Sequence, residues 1–175
     1  VYGEPEYLPV DEKHPINPLD PYGASKHHVE HYLSLYQINH GLDYTVLRFP
    51  NVYGPRQDPY GEAGVVAIWT NQMLAGRTPQ INGTGEQARD FCYVGDIARA
   101  NVLALEAGSG GIYNLGMGVG TSINEVFALL KAATGYPGDG FHAPAKQGEV
   151  FQVYLDASAA NRDLGWRTEV SLAEG

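Results

Sequence analysis

The run Asp20-Pro21-Tyr22-Gly23-Ala24-Ser25-Lys26-His27-His28-Val29-Glu30-His31-Tyr32-Leu33-Ser34-Leu35-Tyr36 decides how this chain is read. Asp20 offers a carboxylate to cap free amides, and Pro21 sits where the first helical turn needs no N–H. Val29, Tyr32, Leu33 and Tyr36 recur at helical spacing, and Gly41 supplies a left-handed stop. The pattern predicts a helix over about Pro21–Asn39. Tyr44-Thr45-Val46-Leu47-Arg48-Phe49 follows, rich in β-branched and aromatic residues, as a short buried strand is. A helix and a strand joined by a few residues are half of an α/β repeat.

Outward from that unit the alternation continues. Pro5, Pro9, Pro15 and Pro18 make the preceding segment a loop, and 51–64 reads as a loop punctuated by Gly54-Pro55 and Asp58-Pro59. Helices are expected over Val65–Leu74, from an Asp96 cap to about Glu106, from the Ser122/Glu125 capping box to Gly135, and from Asp156 or Ser158 to Gly165. Strands are expected at Phe91–Val94, Ile112–Leu115 and Val153–Leu155, with a turn at Asn82–Gly85.

Composition sets the outer bounds. The 175 residues are 43% hydrophobic and 18% charged, enough apolar surface for a core and too much for a disordered chain. A formal charge of −9 repels nucleic-acid backbones and anionic membranes, so neither is expected as a partner. No apolar run approaches the ~18 residues of a membrane span. The start, Val1-Tyr2-Gly3-Glu4-Pro5, lacks the marks of a signal peptide, and the single Cys92 suits a reducing compartment. A cytoplasmic location is the expectation.

Tyr22 and Lys26 stand four apart, one above the other on a helix face. An ammonium beside a phenol favours the phenolate. Such a pair can take a proton from an alcohol while a hydride leaves the same carbon. With twelve tyrosines in the chain, the bare spacing arises by chance about 0.3 times. Its weight therefore comes from its setting at a capped helix start among small residues.

That setting resembles the Tyr-x-x-x-Lys signature of extended short-chain dehydrogenases/reductases, the nucleotide-sugar epimerases and dehydratases. Leu47-Arg48-Phe49-Pro50-Asn51-Val52-Tyr53-Gly54-Pro55-Arg56-Gln57, Gly83-Thr84-Gly85-Glu86-Gln87-Ala88-Arg89-Asp90-Phe91 and Tyr113-Asn114-Leu115-Gly116 continue the likeness in order. It is nearest to the UDP-glucose 4-epimerases of bacteria and archaea. The resemblance covers the C-terminal half to three-fifths of such an enzyme; the glycine-rich NAD turn and the catalytic Ser or Thr of the family have no counterpart here. It implies an α/β fold: the far half of a Rossmann-type parallel sheet over 1–50, and a smaller α/β sugar-nucleotide lobe over 51–175, with about 90–107 rejoining the Rossmann layer.

The resemblance further implies NAD as cofactor, a nucleotide sugar as substrate and a homodimer formed through the Tyr22–Lys26 helix. Tyr22 would accept the proton of the sugar 4-hydroxyl, and Lys26 would hold the nicotinamide ribose. Hydride loss would give a 4-keto sugar that takes hydride back on its other face. Phe49 and Pro50 would wall the nicotinamide. Arg89 would hold the diphosphate, Asn51 would touch the diphosphate or the sugar, Gln80, Ile81 and Asn82 would flank the base, and Lys146 and Glu149 would flank the nucleotide. Lysine at 146 stands where the family has arginine, which forfeits bidentate phosphate contact. Two other readings belong beside epimerisation: a 4,6-dehydratase or uronate decarboxylase or epimerase, and a catalytically silent sugar-nucleotide-binding or dimerisation lobe.

Three remaining features take plainer readings. His27, His28 and His31 are assigned to a dimer or solvent face, and no metal site is expected. Gly116-Met117-Gly118-Val119-Gly120 is assigned to a tight turn, because its third glycine is out of register for a dinucleotide loop. Cys92 lies in a strand-like run and is assigned to the core.

Overall fold

A computed structural model describes residues 1–61, 64–145 and 148–175. Helix α1, Pro21–His40, begins where the sequence places it. Asp20 Oδ1 accepts from the Gly23 amide at 2.6 Å, and Gly41, at φ 67°, closes the last turn on the Gln37 carbonyl. Its burial is less expected. Val29, Tyr32 and Tyr36, whose spacing locates the helix, are exposed, while Gly23 is its one buried residue. A side chain at Gly23 would press on Pro18 and on the Val1 amino nitrogen, both within 3.3 Å of its Cβ position. The glycine thus lets α1 lie against the N-terminal segment.

The sheets are short and mostly parallel. β1 (Val46–Arg48) pairs with β6 (Ile112–Asn114), β2 (Asn51–Tyr53) with β5 (Phe91–Tyr93), and β3 (Gln80–Asn82) with β8 (Phe141–Ala143), all parallel. β4 (Ala88–Arg89) sits between antiparallel β7 (Thr121–Ser122) and parallel β9 (Gln152–Val153). Val10 and Leu155 form an isolated parallel bridge, which ties the proline-rich N-terminal loop to the body. Parallel strands linked through helices define an α/β fold.

Three expectations need correction. Asn51–Tyr53 is a strand and not loop, because its backbone finds a parallel partner in β5. Asp96 does not cap the helix α3 (Val94–Ala104); the chain passes straight from β5 into it. Its buried carboxylate instead accepts from the amides of Glu169 and Val170 at 2.9 and 3.1 Å and from Arg99 Nη1 at 2.9 Å, holding the C-terminal segment. The strand expected at Val153–Leu155 is Gln152–Val153, with Leu155 one bridge beyond. The helices α2 (Val65–Leu74) and α4 (Ile123–Thr134) match their sequence signals, and α4 carries the complete Ser122/Glu125 capping box; α5 (Ser158–Leu164) keeps its expected span, but Ala157, not Asp156 or Ser158, stands at its N-cap.

Two apolar cores flank β5. Cys92 packs with Ile97, Tyr113, Leu115, Leu164 and Trp166 on one side. Phe91 packs with Tyr53, Trp69, Met73, Ile81 and Val126 on the other. The period of two along a strand makes this division. Cys92 is fully buried, and that burial pushes its thiol up to about 12.

Candidate active site

The C-terminal ends of β1 and β4 and the start of α1 open onto a cleft of about 770 Å³. Crevices at strand ends are where open α/β sheets bind ligands. Tyr22 stands at its edge, 64% exposed, and Lys26 Nζ lies 5.2 Å from the centroid of the Tyr22 ring. The two side chains therefore share one face, as their spacing requires. Phe49, Pro50 and Asn51 follow β1 into the cleft wall, and Arg89 and Glu149 line it from β4 and the segment before β9. The structure thus brings Tyr22, Phe49, Pro50, Asn51, Arg89 and Glu149 to one cavity, with Lys26 beside Tyr22.

Arg89 donates from Nη2 to Glu149 Oε1 at 3.0 Å. Burial lowers the Arg89 pKa, and the nearby Glu149 and Glu4 carboxylates oppose that. Asp90, the next residue in sequence, is engaged elsewhere and not with Arg89. Its buried carboxylate accepts the amides of Met117 at 2.9 Å, Gly118 at 3.3 Å and Leu155 at 3.1 Å. Burial raises the Asp90 pKa, and those three amides work against the rise. The same bonds settle the glycine run: two of its amides are committed to Asp90, which makes it a structural turn.

A smaller pocket of about 190 Å³ adjoins the cleft, sharing Asn51, Arg89 and Glu149 with it. Gly64, Val65 and Val66 at the N-terminus of α2 line it, and no side chain among the described residues caps that helix. Arg89 and a helix start favour negative charge in the same place.

The other sequence candidates lie apart from this cavity. Ile81 is buried in the core beside β5, and Gln80 Nε2 donates to Asn82 Oδ1 at 2.8 Å; none of the three lines the cleft. Lys146 lies outside the described residues. On α1, His31 and His27 join through their Nε2 atoms at 3.0 Å, and His28 Nδ1 meets the Ala24 carbonyl at 2.7 Å. Among the described residues no group of three or more His, Cys, Asp or Glu is placed to hold a metal ion.

Sequence reading missed Arg48. It lines the cleft yet is only 8% exposed, and its guanidinium makes a bidentate pair with Glu30 of α1 at 2.8 and 2.6 Å. Its Nη1 donates to the Tyr2 hydroxyl at 2.6 Å, which in turn donates to Asn114 Oδ1 at 2.6 Å. Burial disfavours both charges, and the contact overrides it: Glu30 is held below the usual carboxylate range and Arg48 above its ordinary value. One guanidinium thus fastens the helix bearing Tyr22, the strand leading to Asn51 and the N-terminal segment. The available signal was an arginine inside an apolar strand, which is rarely buried unpaired.

The sequence pattern of the NAD dependent epimerase/dehydratase family matches residues 1–116. The chain is 44% identical over 176 residues to the UDP-glucose 4-epimerase of Mycolicibacterium smegmatis, covering all of this chain and 56% of that protein. Among solved structures it is similar to the UDP-glucose 4-epimerase of Thermotoga maritima, crystallised with UDP-glucose, at 48% identity and a TM-score of 0.97, over 99% of this chain and 57% of that one. It is also similar to the UDP-glucose 4-epimerase of Thermus thermophilus in complex with NAD, at 42% identity and a TM-score of 0.92, over 99% and 57%. The chain therefore spans little more than half the length of the relatives it matches. The fold is of the Rossmann-type epimerase kind, and the chain belongs to the NAD-dependent epimerase/dehydratase family of nucleotide-sugar enzymes.

Proposed function

We propose that this chain is the substrate-side part of a longer enzyme that epimerises a nucleotide sugar at C4, of the UDP-glucose/UDP-galactose kind. One observation carries the reading: Tyr22, flanked by Lys26, stands at the mouth of the cleft that Asn51 and Arg89 also line. In this assignment residues 1–50 belong to the dinucleotide-binding layer, and 51–175 belong mainly to the sugar-nucleotide lobe, with about 90–107 returning to the layer.

Tyr22 takes the proton of the sugar 4-hydroxyl and returns it to the opposite epimer. Lys26, one helical turn along, holds the cofactor ribose beside it. Phe49 and Pro50 form the wall beside the reacting carbon. Arg89 and Asn51 anchor the diphosphate, so that the sugar can turn over about a fixed point; Lys146, Glu149, Gln80, Ile81 and Asn82 are assigned to the nucleotide side. The residues present fit one end of NAD: a hydroxyl-bearing side chain and an ammonium for its ribose and an apolar wall for its ring. The glycine run 116–120 does not offer the amides of Met117 and Gly118 to its pyrophosphate, because Asp90 occupies them. When bound, the cofactor supplies reversible hydride acceptance.

The exposed apolar side of α1, with Tyr32, Leu35, Tyr36 and Ile38, is assigned to a homodimer contact. A cytoplasmic setting suits Cys92, a buried thiol.

The isolated 175-residue chain is expected to be inactive. UDP-galactose incubated with it and NAD should yield no UDP-glucose, and product formation would overturn the division of labour. Joined behind a dinucleotide-binding half from the Thermotoga maritima relative, it should convert UDP-galactose. Products formed instead from dTDP-glucose or UDP-glucuronate would favour the dehydratase or uronate reading.

A further inference from the structure

Arg89, Glu149 and Asn51 stand where the 770 Å³ cleft meets the 190 Å³ pocket. The Arg89 side chain is 15% exposed and that of Glu149 31%. Arg89 Nη1 donates to two backbone carbonyls, of Ala88 at 2.9 Å and Phe151 at 3.2 Å. Glu149 is the one carboxylate hydrogen-bonded to Arg89 among the described residues. The two carbonyls belong to the chain around the paired strands β4 and β9 and cannot leave without breaking that pairing. The carboxylate is carried on a side chain and can leave.

A negatively charged ligand entering the cleft therefore meets an arginine that is already neutralised. To reach the guanidinium it must displace Glu149. The displaced carboxylate stays beside the ligand, repels its charge and needs hydrogen-bond donors of its own. A bare polyanion offers few donors near neutral pH, whereas a sugar-bearing diphosphate offers hydroxyl groups.

We propose that Glu149 is a specificity-determining residue: it is the counter-ion that a diphosphate must exchange on Arg89, and it makes the site reject bare polyanions in favour of ligands that bring hydroxyl donors with their phosphates. The inference deepens the nucleotide-sugar reading and rests on it for its second half. It assigns to one carboxylate a cost for every anion and a reward only for a glycosylated one.

Calorimetric titration of the 175-residue chain tests this, with inorganic pyrophosphate and UDP-glucose as separate probes. Glu149→Gln keeps the shape and removes the charge, and Glu149→Ala removes both; the residue is partly exposed and neither change empties a core. Pyrophosphate should bind each variant about two- to fivefold more tightly than the native chain, the range of a partly exposed ion pair. UDP-glucose should gain nothing, so the preference for it over pyrophosphate narrows by the same factor. Unchanged or weaker pyrophosphate binding in both variants overturns the proposal, as does failure of all three proteins to bind pyrophosphate into the tens of millimolar. A gain for pyrophosphate with no binding of UDP-glucose by the native chain confirms the exchange on Arg89 and overturns the nucleotide-sugar reading beneath it.

Discussion

Arg48 and Glu30 meet as a bidentate pair under the helix that carries Tyr22 and Lys26, with side chains only 7% and 10% exposed. Neither charge is sustainable there without the other. The pair is the joint between α1 and β1, and the Tyr2 hydroxyl extends it to the N-terminal segment. The placement of the tyrosine against the cleft thus depends on a buried ion pair beneath its helix.

Removing one partner should be costly. Arg48→Met leaves a buried, uncompensated carboxylate and is expected to destabilise the chain by about 3 kcal/mol or more, read as a fall in the denaturation midpoint. Replacing both partners, Arg48→Met with Glu30→Gln, should cost less than the sum of the two single changes. Additive losses would show that the pair does not act as a unit.

The same pair sets an acid limit. Glu30 is depressed in the folded chain, so its contribution is complete above the ordinary carboxylate range and is lost as pH falls through the lower, folded value. The stability gap between the native chain and Glu30→Gln should be widest near neutrality and close in acid. A gap independent of pH would contradict this.

Tyr22→Phe separates chemistry from folding. The side chain is 64% exposed, so thermal stability should move by less than ~0.5 kcal/mol. In an active assembly, turnover should fall by about 10²–10⁴-fold, the range of a lost general acid–base group. Retained turnover would remove Tyr22 from the mechanism.

Cys92 is expected to be inert. Its thiol is fully buried and pushed up to about 12, so a thiol-specific disulfide reagent at mildly alkaline pH should react only after denaturant unfolds the chain. Rapid labelling of the folded protein would contradict the packing around β5.

The dimer assignment is open to a simple measurement. Leu35→Glu with Ile38→Glu places two charges on the exposed side of α1, where those residues are 51% and 75% exposed. Sedimentation should then find a monomer where the native chain, or the active assembly that contains it, is a dimer. An unchanged mass would place the interface elsewhere.

What the sequence disclosed follows from where chemistry is concentrated. α1 and α4 could be read because Asp20, Gly41, Ser122, Glu125 and Gly135 each answer a specific need of a helix end. β3, β4, β7 and β8 could not, because their two or three residues lie outside any β-branched or aromatic run of the kind that marks β1 and β5. β2 was hidden by the Gly54-Pro55 that follows it, since its identity as a strand comes from a partner far along the chain, Asn51 pairing with Phe91. Apolar spacing located α1 but not its inward face, which is small and polar, with Gly23 and Glu30 turned to the body. Tyr22 and Lys26 were legible as a spacing, and Arg89 and Asn51 through resemblance. Arg48 escaped because a single charge in a greasy run looks like noise until its carboxylate is found across the fold.

Strand β5 has one more consequence. Phe91 and Cys92 are neighbours in sequence, yet each feeds a different apolar cluster. A slip of a single residue along that ribbon would send the bulky ring into the space of the thiol and the thiol into the space of the ring. Neither cluster can loosen privately, so the two are bound to melt as one event, with three residues acting as the party wall between them.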